Sequence, residues 1–189
     1  PGDDILWRLY PSGAAWHCRH LWEHYAFNGD KEYLRTKGYP IMKEAAEFWL
    51  ENMVEYQGQF IISPSVSAEH GIEMKNGSPV EYSITNGEQT EGRLFTVPAY
   101  QDIEMVYDLY THVIKAAECL NTDSVFRQKL LIAKNKLLPL KIGRYGQLQE
   151  WIDDVDNPHD HHRHLAHLYA LYPGNRISYT RTPALAQAV

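Results

Sequence analysis

The chain has 189 residues, 44% hydrophobic and 22% charged, the balance of a folded globular protein long enough for one sizeable core. A net charge of -6 without a basic patch argues against a nucleic-acid partner, and no run is long and apolar enough to span a membrane. Cys18 and Cys119 are isolated thiols, a pattern that indicates neither a zinc ribbon nor a disulfide scaffold. Thirteen Tyr and five Trp supply flat apolar surface, which fills cores and also suits ring-shaped ligands such as carbohydrate. The sequence shows no signal peptide, starts at Pro1 without Met and stops at Val189 inside a helical pattern, so it is expected to be a segment of a longer protein.

Pro1 to Ser12 reads as a lead-in, with Ser12 a candidate N-cap. From Gly13 to Phe27, Trp16, Arg19-His20, Glu23 and Phe27 recur at helical steps until Asn28-Gly-Asp30 breaks the pattern. Asp30 is expected to cap a short turn through Leu34. Gly38-Tyr-Pro40 then opens a longer helix with Ile41, Ala45, Phe48, Trp49, Met53 and Tyr56 inward and Gly58 at its end.

Residues 59 to 98 hold no convincing helix and are expected to be loop and short strand. Phe60 to Ile62 is a short apolar run. Asn76-Gly77 and Asn86-Gly87 are turn signals, and Val80-Glu-Tyr82 has strand character. So long an irregular stretch in a helical chain is more often functional than idle.

Helix resumes near Ala99, where Ile103, Val106, Tyr107, Tyr110, Val113, Ile114, Ala117 and Leu120 form a wide apolar stripe. Asn121-Thr-Asp123 turns the chain into a helix through Leu138, capped by Asp123, with Phe126, Leu130, Ala133 and Leu137 inward and Pro139 as its stop. Gly143-Arg-Tyr-Gly146 is a turn, Asp153 to His162 is acidic and His-rich, Arg163 to Tyr172 is a short helix, and Thr182-Pro183 starts another. Helices in pairs, without alternating strands, predict an all-α architecture of stacked hairpins whose loops carry the polar clusters.

Three clusters have chemical potential. Glu69 follows an apolar run in a Ser/Pro loop beside His70. A carboxyl held against apolar neighbours has its charged form disfavoured, which suits a general acid; the alternative is a solvated surface loop. Trp16, His20, Glu23 and His24 share helix faces, as a binding surface or as part of an aromatic core. Gln149-Glu150-Trp151 and the Pro158-to-His167 stretch, with five His, form the third. The His spacing does not match the i, i+4 zincin arrangement, so neither a metal site nor a cofactor is expected. Arg163 and His164 can donate to hydroxyls and Trp16 can offer a flat platform, the mixture that sugars require. Glycoside hydrolysis then needs a carboxylic acid near the leaving oxygen and a group that activates water; Glu69 and Glu150 are both candidates. Serine-hydrolase elbows, P-loops and dinucleotide fingerprints are absent from the sequence.

Gly13-Ala-Ala-Trp-His-Cys-Arg-His-Leu-Trp-Glu-His-Tyr25 with Phe27-Asn-Gly-Asp-Lys-Glu-Tyr33 resembles the AW-x-x-x-HLWEHY…GD segment of glycoside hydrolase family 95. Ser63-Pro-Ser-Val-Ser-Ala-Glu69 resembles that family's SPS-x-SPE loop. Ile142-Gly-Arg-Tyr-Gly-Gln-Leu-Gln-Glu-Trp151 and His162-Arg-His-Leu-Ala-His-Leu-Tyr-Ala-Leu-Tyr-Pro-Gly174 resemble its IGK-x-GQLQEW and HRHLSHLFGLYPG segments. The motifs run in order along nearly the whole chain.

The resemblance implies a six-hairpin (α/α)6 barrel and an inverting α-L-fucosidase that acts on fucosylated glycans. It places the general acid on Glu69, sugar contacts on Arg163 and His164 and on Trp16 and His20, and a supporting role on Glu150. Ala68 stands where the family motif has Pro, and His70 where it has Asn. The family's N-x-N motif, which holds the water, and its DGNFG-like motif are both missing here. A twelve-helix barrel also needs about twice this length at ~1.5 Å of rise per residue. Residues 1–189 are therefore expected to be one segment of a single catalytic domain, about half the barrel, with flanking sequence supplying the rest. An α-L-galactosidase and a non-catalytic carbohydrate-binding fragment are the alternatives. An extracellular or periplasmic location follows from what such enzymes digest.

Overall fold

The computed structural model describes residues 10–68, 70–75, 78–79, 92–94 and 98–189. Glu69, the Asn76-Gly77 and Asn86-Gly87 turns and the Val80–Tyr82 strand lie outside the described residues. Helix dominates, with few and short strands, as the sequence leads one to expect. The chain divides into two units, Pro11–Ile62 with Ile103–Leu138, and Pro1–Tyr10 with Ser63–Asp102 and Pro139–Val189.

The first of these is the helical unit. Helix α1 (Gly13–Asn28) ends in Gly29 at φ 71°, whose N–H closes on the Tyr25 carbonyl, the left-handed stop that glycine makes without a Cβ penalty. Ser12 occupies the N-cap position without a side-chain cap bond. Asp30 caps the next turn, its Oδ1 accepting the Tyr33 N–H at 2.9 Å. The helix expected to stop at Leu34 and restart at Pro40 instead runs on. Helix α2 (Lys31–Tyr33) passes through a π-helical turn, Leu34–Gly38, into α3 (Tyr39–Asn52).

A π turn holds an extra residue and rotates everything after it. The buried face of α3 is Tyr39, Met42, Ala46 and Trp49, while Ile41 and Phe48, expected inward, are each 50% exposed. Met53 and Tyr56 are not helical either. Met53 is the extended cap, and Tyr56 closes strand β1 (Val54–Tyr56), which pairs with β2 (Gln59–Ile61). The joining residues Gln57 and Gly58 both have positive φ, the two-residue hairpin geometry that matches strand twist.

Helix α4 (Tyr100–Leu120) is buried along nearly its whole length, so its polar positions need partners. In this unit Arg19 supplies one, donating from Nη1 to Asp108 at 2.8 Å and from Nε to Glu23 at 2.8 Å. His112 lies flat against Trp22 at 5.3 Å, and burial, with Lys115 and Arg19 nearby, drives its pKa down to about 3. Helix α5 (Ser124–Lys136) buries Leu130 and Ala133 and ends before Leu137, which bridges to Phe60. Asp123 does not cap α5 through its side chain. Its carboxylate accepts from the Tyr39 hydroxyl and the Lys43 ammonium, both at 2.8 Å.

In the second unit β3 (Ile72–Lys75) pairs antiparallel with β4 (Ser78–Pro79) on one side and β5 (Gly92–Leu94) on the other. Ile72, Ala99 and Trp151 form a buried cluster, and Leu148, Ala170 and Ile177 form another, with the Gln147–Trp151 stretch feeding both. The helix expected over Arg163–Tyr172 shrinks to a 3₁₀ segment, Ala166–Ala170, followed later by α6 (Pro183–Gln187). In that segment Tyr169 and Ala170 are buried, while the flanking Leu165 and Leu171 are exposed.

Candidate active site

Ser65, Val66, Ser67 and His70 are buried, and buried loop residues must find partners for their backbone and hydroxyl groups. The Ser65 hydroxyl donates to Asp102 Oδ2 at 2.7 Å and accepts the Ala99 N–H at 3.0 Å. The Val66 N–H reaches the same Asp102 oxygen at 3.2 Å, and the Ala68 N–H reaches Gln101 Oε1 at 2.6 Å. Gln101 and Asp102 belong to the first turn of α4, where a carboxylate also complements the helix dipole. The Ser67 hydroxyl donates to Glu150 Oε1, and the His70 N–H closes on the Ser67 carbonyl at 2.9 Å. The serines spaced two apart are thus the loop's fasteners, and both neighbours of Glu69 are tied down.

Glu150 is the hub. It is buried, and besides Ser67 it faces His70 Nδ1, which lies 2.9 Å from Oε2 and 3.0 Å from Oε1. The other His70 nitrogen, Nε2, is 2.9 Å from Asp160 Oδ2. A ring with a carboxylate oxygen against each nitrogen donates on both sides only as the imidazolium. Burial pulls the His70 pKa down, but hydrogen bonds and charges of Glu150 and Asp160 outweigh it, so the net shift is upward.

The flanking histidines go the other way. His162 stacks on His70 at 4.3 Å and 10°, and burial followed by the His70 charge lowers its pKa. His167 Nδ1 lies 3.6 Å from Glu150 Oε2, and burial lowers its pKa too. Asp156 accepts the Glu150 N–H at 3.2 Å and Gln147 Nε2 at 2.9 Å; burial pushes it up to about 6 despite those bonds.

These groups open on a cavity of about 210 Å³ with Trp151, Val155 and Tyr145 among its apolar walls and His162 and His164 among its polar ones. That is below the ~300–1,000 Å³ of drug-sized sites and fits a small polar ligand beside an aromatic wall. Of the residues proposed from the sequence, Glu150 and His164 line this cavity together, while Arg163 is exposed on the same stretch and is not part of the lining. Trp16, half-buried, and His20, with a side chain 66% exposed, lie on α1 in the helical unit. Glu69 lies outside the described residues.

Sequence reasoning missed the roles of Ser67, His70 and Asp160. The signal was present in the clustering of His and Asp, but it read there as a question about metal. Among the described residues no group of three His, Cys, Asp or Glu has metal-holding geometry, and no helix is long and apolar enough to cross a membrane.

The site is thus a buried carboxylate–imidazole network on a small aromatic-walled cavity, and family comparison says what kind of domain carries it. The chain belongs to glycosyl hydrolase family 95: the profile of that family's catalytic domain matches residues 1–189. It is 35% identical over 190 residues to alpha-L-fucosidase 2 of Arabidopsis thaliana, a match covering 98% of this chain and 21% of that protein. It is 33% identical over 182 residues to the probable alpha-fucosidase A of Aspergillus niger, covering 93% and 21%. A shorter match, 40% identical over 53 residues, joins 28% of this chain to 8% of the kojibiose hydrolase of Flavobacterium johnsoniae. The chain spans about a fifth of the length of the two fucosidase relatives.

Proposed function

We propose that the protein containing this chain hydrolyses terminal α-L-fucosidic bonds in oligo- or polysaccharides by an inverting acid/base mechanism. In this reading residues 1–189 are a segment of a single catalytic domain, about half of an (α/α)6 barrel, and flanking sequence supplies the remainder. The observation that carries the reading is the bolted Ser63–His70 loop, with anchors at Ser65, Val66, Ser67, Ala68 and His70 on either side of Glu69. Anchored residues before and after position 69 support a loop whose task is to present a proton donor. The two relatives named for fucosidase activity support the substrate class.

Glu69 gives its proton to the glycosidic oxygen as the C1–O bond breaks. Water attacks C1 from the opposite face and loses its proton to a base in the flanking sequence, and the anomeric configuration inverts. Glu150, with its oxygens committed to Ser67 and His70, serves as a support and not as the donor. Arg163 and His164 donate to sugar hydroxyls, with Trp16 as an apolar platform and His20 as a further polar contact.

The test is leaving-group dependence in the full-length protein. Glu69→Gln should cut kcat on a poor leaving group by about 10²–10⁴-fold and spare an activated aryl fucoside, while Glu150→Gln should hurt both alike. Leaving-group dependence at Glu150 and not at Glu69 would reverse the assignment. An α-L-galactoside and kojibiose complete the substrate panel. Binding of fucosides without turnover of any of them would make the protein a carbohydrate binder.

A further inference from the structure

We propose that Asp156 is a sugar-binding residue of this cavity, a carboxylate that accepts hydrogen bonds from hydroxyls of the bound ligand. The choice of ligand rests on the hydrolase reading; the unfilled acceptor does not. Asp156 lines the cavity together with Glu150, Asp160 and Trp151. The three carboxylates differ in how far the protein supplies their oxygens. Glu150 faces Ser67 and His70, and Asp160 faces the same His70 ring and the His162 N–H. Asp156 has two donors, neither of them charged: Oδ1 accepts the Glu150 N–H at 3.2 Å and Oδ2 accepts from Gln147 Nε2 at 2.9 Å. A carboxylate offers about four acceptor positions, so roughly half of its capacity is unused. Among the described residues no Lys, Arg or His pairs with it.

That shortfall shows in the acidity of the group. Burial pushes Asp156 up to about 6, the charges of Glu150 and Asp154 add to the rise, and its two hydrogen bonds do not offset them. A carboxylate supplied with too few donors destabilises the protein alone and attracts a ligand that brings more. An uncharged ring carrying hydroxyls meets that need, with Trp151 and Val155 as walls for its C–H faces. Hydroxyl donors favour the ionised form and so lower the Asp156 pKa. Binding near pH 6 therefore releases protons, and affinity weakens as pH falls through about 6. Glu150 and Asp154 face Asp156 directly, while His70, Asp160, His162, His164 and His167 stand on the walls of the same cavity. Those histidines titrate in a nearby range, so the Asp156 variant is the control that isolates its proton.

Calorimetric titration of L-fucose into the full-length protein at pH 6, in two buffers of different ionisation enthalpy, counts the protons. A bound pKa about one unit below the free value of about 6 gives release of roughly 0.4 proton per fucose, and about fivefold weaker binding at pH 5 than at pH 7. Asp156→Asn keeps the size and does not titrate. It should release no proton and bind at pH 7 no more tightly than wild type does at pH 5. On an aryl fucoside it should raise KM and leave kcat nearly level. A residue that only props Gln147 and Glu150 gives no release in wild type, or a release that survives Asp156→Asn, and either result overturns the proposal. Gln147→Leu removes one of the two donors and should move the acid limb of binding to higher pH. It decides if Asp156→Asn does not fold, an unmoved limb being the refuting result. If fucose binds with release and no fucoside is cleaved, the hydrolase reading falls and Asp156 stands. If fucosides are cleaved and binding is proton-neutral, Asp156 falls and the hydrolase reading stands. A protein that binds no fucose overturns the role of Asp156 outright.

Discussion

Replacing Glu150 by Gln tests the hub directly, because the side chain keeps its shape and loses its charge. In the folded protein its carboxylate meets Ser67 and the His70 ring at 2.9–3.0 Å, with both side chains under a tenth exposed. Unit charges about 4 Å apart at an effective dielectric of 20 attract by about 4 kcal/mol before desolvation is subtracted. Hydrogen bonds to charged groups retain about 1.5–3 kcal/mol net, and stripping one partner from a buried pair costs about 3–5. Two features lower the cost here. The Gln carbonyl still accepts from Ser67, and Asp160 remains against the other ring nitrogen at 2.9 Å. The expected loss is about 2–3 kcal/mol at pH 6, or roughly 30- to 150-fold in the unfolding equilibrium. Urea unfolding of the full-length protein, followed by tryptophan fluorescence, measures it, and a cycle with His70→Asn isolates the pair. Glu150→Gln should cost at least about 1 kcal/mol less in the His70→Asn background. Additive losses, or a single-mutant cost under about 0.5 kcal/mol, would mean that the buried contact carries no energy and that the hub is misread.

Asp156→Asn addresses a carboxyl whose pKa rises on folding from 3.8 to about 6. A raised acid contributes stability below its unfolded pKa and loses it as pH climbs through the folded value, so at pH 8 the charged Asp156 opposes folding by an amount on the order of 2–3 kcal/mol. The Asn variant should then be at least as stable as wild type at pH 8 and flatter between pH 4 and pH 6 in urea titrations. In the helical unit, Met42→Ala should cost about 2–5 kcal/mol because Met42 is fully buried, whereas Ile41→Ala at a half-exposed position should cost under about 1. Equal losses at the two positions would contradict the buried face of α3.

That face shows where sequence reading stops. The helices α1, α4 and α5 were legible from their apolar spacing and their breakers, with Gly29 ending α1 and the stripe from Ile103 to Ala117 running along α4. The inward face of α3 was not, since apolar residues stand on more than one face of that helix and their spacing alone does not say which face is buried. Tyr56 and Gly58 looked like the end of that helix, and only their backbone reveals a hairpin. Asp123 carries a cap's composition yet spends its carboxylate on Tyr39 and Lys43, 84 and 80 residues away. The same holds at the site. Its motifs were readable one by one, while the bridge from Glu150 through His70 to Asp160 joins groups 80 and 90 positions apart, and no local pattern encodes a contact of that range.

The fasteners of the Ser63–His70 loop also impose an order of events on the ribosome. Ser65 waits 37 residues for Asp102, and Ser67 waits 83 for Glu150. At roughly 5–20 residues per second, that second wait is about 4–17 s of synthesis during which the segment around residue 69 has emerged without its last bolt. The nascent chain therefore carries the Ser63–His70 loop well before its last fastener exists, and the Gln147–Trp151 stretch is the delivery that ends the wait.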